Sequence, residues 1–84
     1  MSINEIVLGP DGQRNTSIGG FGVVHVDVRE GHPLTVRLAV ATDEDRAYTL
    51  QPGGTFPVGD QMWKLERVEN PGSEAWAVVL TRVP

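Results

Sequence analysis

The chain has 84 residues, a formal net charge of −4 and no cysteine. This length accommodates one domain with one modest core and leaves no room for a large internal ligand cavity. The lack of cysteine excludes a disulfide framework and a thiolate metal site. The seven Lys and Arg are scattered, which argues against nucleic acid and anionic membrane as partners because both require clustered cations.

Nothing in the sequence indicates a membrane segment or an export signal. No apolar run approaches the ~18 residues of a membrane-spanning helix. The segment from Met1 to Glu5 has an acidic residue where a signal peptide has basic ones. These features predict a cytoplasmic protein with no membrane partner.

The first quarter of the chain is a series of short segments separated by glycine. An apolar run from Ile3 to Leu8 ends at Gly9 to Gly12, where proline followed by Asp and Gly predicts a turn. The polar segment from Gln13 to Ile18 predicts a short edge strand or a loop, and Gly19 to Gly22 predicts a flexible loop.

A β-hairpin is predicted next. Phe21 to Val28 is rich in β-branched residues, and alternation places Val24, Val26 and Val28 on one face. After a turn at Arg29 to Pro33, apolar and polar residues alternate from Leu34 to Val40, as in a half-buried strand. The following segment, Ala41 to Asp45, predicts a connection. No apolar period of ~3.6 residues persists anywhere, so no substantial helix is expected.

The last third of the chain has the pattern of one β-meander. From Tyr48 to Val83, large apolar residues are spaced two apart, with a glycine-containing turn every six to twelve residues. Thr55 to Val58 contains Pro57, which cannot donate to a strand ladder, so this strand is predicted at a sheet edge or beside a bulge.

The longest predicted strand of the meander runs from Gln61 to Glu69. Trp63 and Leu65 are in phase, whereas Val68 is out of phase with them. A bulge near Glu66 and Arg67 restores the register.

Together these segments predict a single all-β domain over residues 1–84. The architecture is a small antiparallel β-sandwich or a partly closed β-barrel of six to seven strands, since an open sheet of that size exposes an apolar face and two edges. Phe21, Val23, Val79 and Val83 fall on the face opposite the main core, and an uncovered second apolar face marks an interface. We expect the outer face of the meander, which carries Val79 and Val83, to be covered by the N-terminal strands or by another chain.

The patterns that carry catalytic or metal chemistry are incomplete. Gly19 to Gly22 lacks the Lys-Ser/Thr pair and the helix of a phosphate loop. His25 and His32 lack metal-site spacing, and Asp43 to Asp45 lacks the spaced oxygens of a calcium loop. No serine lies in a nucleophile elbow. The sequence therefore predicts no catalytic residue, metal site or cofactor, and it disfavours an enzyme without excluding one.

The tryptophans and Phe21 receive different predictions. Trp63 and Trp76 lie on strands of alternating pattern and are predicted to fill the core, stacking across neighbouring strands. Phe21 lies beside flexible glycines and is predicted to be the most exposed aromatic residue.

One stretch of the chain resembles a known family. It contains a Gly-Thr-Phe-x-Val-Gly-Asp turn from Gly54 to Asp60, a Trp-x-Leu strand from Trp63 to Leu65, and Trp-Ala-Val-Val-Leu from Trp76 to Leu80. These motifs resemble a group of small uncharacterised bacterial proteins, mostly actinobacterial, that form a domain of unknown function. The resemblance spans roughly residues 34–83 and implies no reaction, cofactor or catalytic residue.

The leading hypothesis for function is a non-catalytic protein-interaction or accessory module that forms a homodimer. The alternative is a small-ligand-binding protein or an enzyme with a shallow site where the Gly19–Gly22 loop meets the Arg29–His32 turn. A third hypothesis, an antidote to a toxin or a phage-related decoy, is compatible with the small size and acidic charge. The candidate ligand or partner residues are Phe21, His25, Asp27, Arg29, Glu30, His32 and Arg37.

Overall fold

The computed structural model describes residues 4–10, 13–16 and 18–84. The predicted turn at Asp11 and Gly12 lies outside these residues. Eight β-strands are present in the described part of the chain, in the order β1 (Glu5–Leu8), β2 (Gln13–Thr16), β3 (Gly19–Asp27), β4 (Thr35–Ala41), β5 (Asp45–Leu50), β6 (Thr55–Val58), β7 (Gln61–Glu69) and β8 (Ala77–Val83).

The strands form two four-stranded sheets that pack face to face. Sheet A has the order β1-β8-β7-β6 and sheet B the order β2-β3-β4-β5. Every neighbouring pair is antiparallel. The all-β prediction is confirmed, and the architecture is sandwich-like rather than a closed barrel. The eight strands exceed the predicted six to seven because the short polar segment β2 pairs along its whole length with β3.

The core lies between the two sheets and is built from alternate residues of seven strands. Trp63 is fully buried at its centre, where its ring lies 6.3 Å from that of Phe21. The other buried members are Ile6, Leu8, Val36, Leu38, Val40, Leu50, Phe56, Val58, Leu65, Val78 and Leu80. No polar or charged side chain is buried among the described residues, so apolar burial and strand pairing supply the stability.

The predicted bulge in the longest meander strand is confirmed. The register of β7 with β8 shifts between Leu65 and Arg67, so Glu66 is the extra residue. The shift restores Val68 to the inner face, where it packs against the core. The edge prediction for Pro57 is also confirmed, because β6 is an outer strand of sheet A.

A second bulge, in β3, overturns the prediction for Phe21. The register with β4 shifts between Val23 and His25, which leaves Val24 as the extra residue. Phe21, Val23 and Val26 consequently all face the core, and Phe21 is 3% exposed. Val24 is 59% exposed and does not share a face with Val26, contrary to the strict alternation that was predicted.

The meander is shorter than predicted. β5 pairs with β4 in sheet B, and the chain then crosses to sheet A, where β6, β7 and β8 form the meander. The crossing segment is fixed by two backbone hydrogen bonds to Leu65: Gly53 N–H donates to its carbonyl at 2.7 Å, and its own N–H donates to Gly54 O at 2.9 Å.

The tryptophans also differ from the prediction in one respect. Trp76 packs against the core from a position just before β8. The close ring pairs among the described residues are Phe21 with Trp63 and Tyr48 with Phe56, so the predicted stacking of the two tryptophans on each other is wrong.

The outer face of sheet A contains the valines predicted opposite the core. Val79 is 1% exposed there, and its cross-strand neighbours are Val7 and Arg67. The N-terminal strand β1 extends the sheet at its edge beside β8, and so does not cover this face as a second layer. Val79 is nevertheless buried, with Val7 and Arg67 beside it on the same face.

Candidate functional site

A shallow groove of about 360 Å³ runs across the outer face of sheet B. Its base is formed where the outward positions of adjacent strands carry glycine or alanine. We call this set the small-residue floor; its members are Gly20, Gly22, Ala39, Ala41 and Ala47.

The register of sheet B brings these residues together in two rows. Gly22 lies opposite Ala39, which lies opposite Ala47 on β5, and Gly20 lies opposite Ala41. Side chains two apart on a strand point to the same face. Five adjoining outward positions therefore carry no side chain larger than a methyl group, and the sheet backbone lies bare.

Polar residues border the floor on both sheet edges. Gln13 and Asn15 of β2 border it on one side, and Asp45 and Arg46 of β5 on the other. A Cβ atom on Gly20 would lie 2.9 Å from Asn15 Oδ1, so glycine at that position leaves space for the amide to lie along the floor.

A row of longer side chains closes one end of the floor along the strand direction. His25 lies opposite Arg37, and Arg37 lies opposite Thr49. All three are exposed. At the other end the row contains Asp45, opposite Ala41. Along the outward positions, Arg37 therefore lies beyond one end of the groove and Asp45 borders the other end. Arg46 also borders the groove beside Asp45, and its guanidinium is paired with Glu44.

An ion pair lies beyond the Arg37 end of the groove. Arg29 Nε donates to Asp27 Oδ1 at 2.9 Å and to Oδ2 at 3.2 Å. The hydrogen bond from Arg29 lowers the pKa of the Asp27 carboxyl below its ordinary value. This pairing balances the two charges, and Arg37 is the arginine that adjoins the floor at this end, two positions from Ala39 on β4.

The structure brings together some of the sequence-predicted site residues. His25 and Arg37 are cross-strand neighbours, and Asp27 and Arg29 form an ion pair. Phe21 contributes to the core rather than to the surface, although its backbone lines the groove.

The remaining two predicted residues lie in the exposed β3–β4 turn. Glu30 and His32 follow Arg29, whose carbonyl accepts a hydrogen bond from His32 N–H at 3.2 Å. This backbone bond closes the turn.

The Gly19–Gly22 segment and the Arg29–His32 turn, which were predicted to meet at a shallow site, are not adjacent. Gly19 to Gly22 belong to β3, and the turn follows the other end of the same strand. Their nearest residues, Gly22 and Arg29, are seven positions apart, which at ~3.3 Å per residue separates the two segments by roughly 20–25 Å. An extended strand cannot bring its two ends together, so the small-ligand hypothesis loses its proposed location.

Sequence reasoning missed the small-residue floor. The sequence predicts a flexible loop at Gly19 to Gly22, whereas in the structure Gly20 and Gly22 lie in β3 opposite Ala41 and Ala39. The detectable signal was the spacing of Gly20 with Gly22 and of Ala39 with Ala41, each two apart on segments predicted to be adjacent.

Side chains that could ligate a metal are dispersed among the described residues. No group of three or more His, Asp and Glu among them could hold a metal ion. Within the same part of the chain, no buried side-chain nitrogen or oxygen lacks a hydrogen-bond partner, and no helix could cross a membrane. What the groove offers chemically is close backbone approach, with Arg37 beyond one end and Asp45 at the other.

Comparison with known proteins gives one match. A family model described as a family of unknown function, DUF6406, matches residues 4–84, and the chain belongs to that family. No curated protein and no solved structure matches the chain.

Proposed function

We propose that this DUF6406 member is a non-catalytic protein-interaction module that forms a homodimer through the outer face of sheet B. One observation carries the proposal, namely the small-residue floor in the middle of a four-stranded sheet. Glycine within strands weakens them and often marks a place where another backbone approaches closely. A second copy of the same sheet face supplies such a backbone.

The charges at the two ends of the floor favour a second copy as the occupant. The proposed two-fold axis lies in the interface and runs perpendicular to the strands, along the row of Gly22, Ala39 and Ala47. Rotation about this axis places the strands of the partner in the opposite direction. The Arg37 end of the groove then lies over the Asp45 end of the partner's groove. Arg37 extends over the small Ala41 of the partner and reaches towards Asp45 on the neighbouring strand.

The size of the face is adequate for a specific dimer. The molecule measures 37 × 23 × 22 Å, so a broad face along the long axis presents an area in the range of a specific contact. An ordinary interface buries about 800 Å² on each partner.

A matched pair of alanine substitutions tests the proposal. Ala39→Arg places a long cation in the middle of the floor, whereas Ala77→Arg places the same side chain on the outer face of sheet A. We expect Ala39→Arg to weaken dimerisation at least about 100-fold, an expected change of roughly 2.7 kcal/mol or more. Ala77→Arg should leave dimerisation within a few-fold of wild type.

The measurement is molar mass by light scattering over a range of concentrations, with circular dichroism to establish that both variants remain folded. A folded Ala39→Arg protein that dimerises as tightly as wild type would exclude the floor as the interface. A wild-type protein that is monomeric throughout the concentration range would exclude the homodimer.

We further propose that the module acts in the cytoplasm of a bacterium, with an actinobacterium as the source. The cysteine-free composition is compatible with a reducing compartment, and the motifs from Gly54 to Leu80 support the bacterial assignment. Fractionation of source cells with an antibody to the protein tests the location: recovery with the membrane or in the medium would contradict it.

A further inference from the structure

The four sheet edges differ in how well they are protected against pairing with another strand. β1, β2 and β6 each have four residues, and β6 also contains Pro57. β5 has six residues with no proline, no glycine and no bulge in its register with β4. Short strands, proline and bulges are the usual means by which proteins block edge pairing. β5 lacks all three, and its charged residues, Asp45 and Arg46, are confined to its first two positions.

The outer edge of β5 is also free of internal partners. Among the described residues, the backbone groups of Asp45–Leu50 bond within sheet B, and the connecting segments bond elsewhere. Thr42 N–H donates to Glu44 O, and Gly54 N–H donates to Gln51 O. Both hydrogen bonds close turns that flank β5. The outward N–H and C=O groups between them are therefore open to an added strand.

A cleft of about 350 Å³ lies where such a strand would place its inward side chains. It opens between β5 of sheet B and the β6 end of sheet A. Arg46 and Tyr48 line it from β5, and Pro57 and Gly59 line it from the opposite sheet. Because side chains alternate along a strand, every second residue of an added strand faces this cleft.

The charges at the cleft select the chemistry of those side chains. The carboxylates of Asp43 and Glu44 line it, and Arg46 Nη2 donates to Glu44 Oε2 at 3.0 Å. One of the two carboxylates is thus matched by a cation, and Asp43 adds an excess negative charge. The net charge of −4 on the whole chain acts in the same direction.

We propose that the open edge of β5 binds an extended peptide segment that presents lysine or arginine to the cleft. Main-chain hydrogen bonds to β5 supply the affinity, and the carboxylate-lined cleft supplies the specificity. This surface is distinct from the small-residue floor and extends the function beyond homodimerisation, since the added strand lies beside β5 in the plane of sheet B.

The test uses labelled peptides of six residues, acetylated and amidated, with alternating valine and lysine. Matched peptides carry glutamate in place of lysine, or N-methyl groups on alternate backbone nitrogens. We expect the lysine peptide to bind with a dissociation constant of about 1 mM or lower. The dissociation constant of the glutamate peptide should be at least tenfold higher. One of the two N-methylated series should lose binding and the other keep it, because alternate N–H groups face β5.

Protein variants place the peptide at this edge. Asp43→Asn together with Glu44→Gln should reduce lysine-peptide affinity several-fold in a folded protein, and Ala39→Arg should leave it unchanged. Amide exchange should slow in Asp45–Leu50 when the lysine peptide is added. The proposal is overturned if the lysine peptide does not bind at a peptide concentration of about 1 mM, or if the lysine and glutamate peptides bind equally. It is also overturned if the peptide slows amide exchange only in the small-residue floor.

One further outcome concerns a second copy of the chain at the same edge. Amide exchange in Asp45–Leu50 is also measured without peptide at increasing protein concentration. If exchange slows as the protein concentration rises, and the peptide does not displace the second copy, β5 pairs with another copy and the peptide proposal is wrong. Loss of dimerisation in Ala39→Arg with retained peptide binding separates this proposal from the homodimer.

Discussion

The two outer faces of the sandwich differ in the size of the side chains that lie over the strands. On sheet A, long side chains extend over the strands: Lys64 and Glu66 form an ion pair at 2.8 Å, and Thr81 Oγ1 donates to Glu66 Oε2 at 3.3 Å. Val79 is buried within this face. On sheet B, the central positions hold glycine and alanine, whose own side chains extend no further than a methyl group above the backbone.

The difference shows what each face is built to contact. On the outer face of sheet A, Val79 is buried and Lys64 is paired with Glu66 without a partner protein, so this face is compatible with exposure to water. A face with a bare centre and charges separated at its two ends is complementary to a reversed copy of itself. This contrast supports the proposed interface on sheet B, which the exposed large apolar residues do not indicate. Those residues are dispersed: Val7 and Met62 lie on strands of sheet A, Val24 lies in β3 of sheet B, and Val28 follows β3.

The largest expected effect is a difference in stability between two valine-to-aspartate variants, one on each sheet. Val79→Asp introduces a charge at a position that is 1% exposed, whereas Val24→Asp changes a bulge residue that is 59% exposed. An unpaired buried charge costs about 3–5 kcal/mol, and an exposed substitution changes stability by less than about 0.5 kcal/mol.

Urea unfolding followed by tryptophan fluorescence measures both variants. Because dimerisation adds to apparent stability, the pair is compared in the Ala39→Arg background at one protein concentration. Equal losses for the two valines would show that the outer face of sheet A does not enclose Val79.

A smaller effect should appear in the pH dependence of stability. The hydrogen bond and charge of Lys64 lower the pKa of the Glu66 carboxyl below its ordinary value of 4.5. A carboxylate with a lowered pKa contributes stability above its unfolded pKa, and this contribution is lost as the pH falls through the folded value. Glu66→Gln should therefore lower stability slightly at pH 7 and show a shallower loss from about pH 4.5 downwards.

The matched control for this prediction is Glu30→Gln in the exposed β3–β4 turn. Urea midpoints are recorded from neutral to acidic pH at low and high salt, because salt screens exposed ion pairs. If Glu66→Gln follows the wild-type acid profile, the Lys64–Glu66 pair does not stabilise the face of sheet A.

The sequence predicted β7 better than it predicted β3, and the reason lies in side-chain contrast. In β7, apolar residues alternate with charged ones, so the phase slip at Val68 required a bulge. In β3, Val23, Val24 and Val26 leave two registers equally apolar, and the bulge at Val24 produces no visible slip. Because the bulge was not predicted, Phe21 was expected on the surface, whereas in the structure it is buried.

Sheet membership and the candidate site were harder to predict. Nothing in the local pattern of Tyr48 and Leu50 distinguishes pairing with the preceding strand from pairing with the following one, since both are apolar at alternate positions. The small-residue floor depends on the same long-range pairing. Glycine and alanine carry no apolar signal of their own, and they form a surface feature through the register of β3, β4 and β5.

The absence of cysteine in the chain makes one measurement especially direct. The proposed two-fold axis places Ala39 opposite Ala39 of the second copy, and a disulfide requires Cα atoms within about 7 Å. Under mild oxidation, we predict rapid formation of a disulfide-linked dimer by Ala39→Cys and little by Thr81→Cys, which lies on the outer face of sheet A. Equal or faster linkage of Thr81→Cys in folded protein would contradict the assignment of the interface to sheet B.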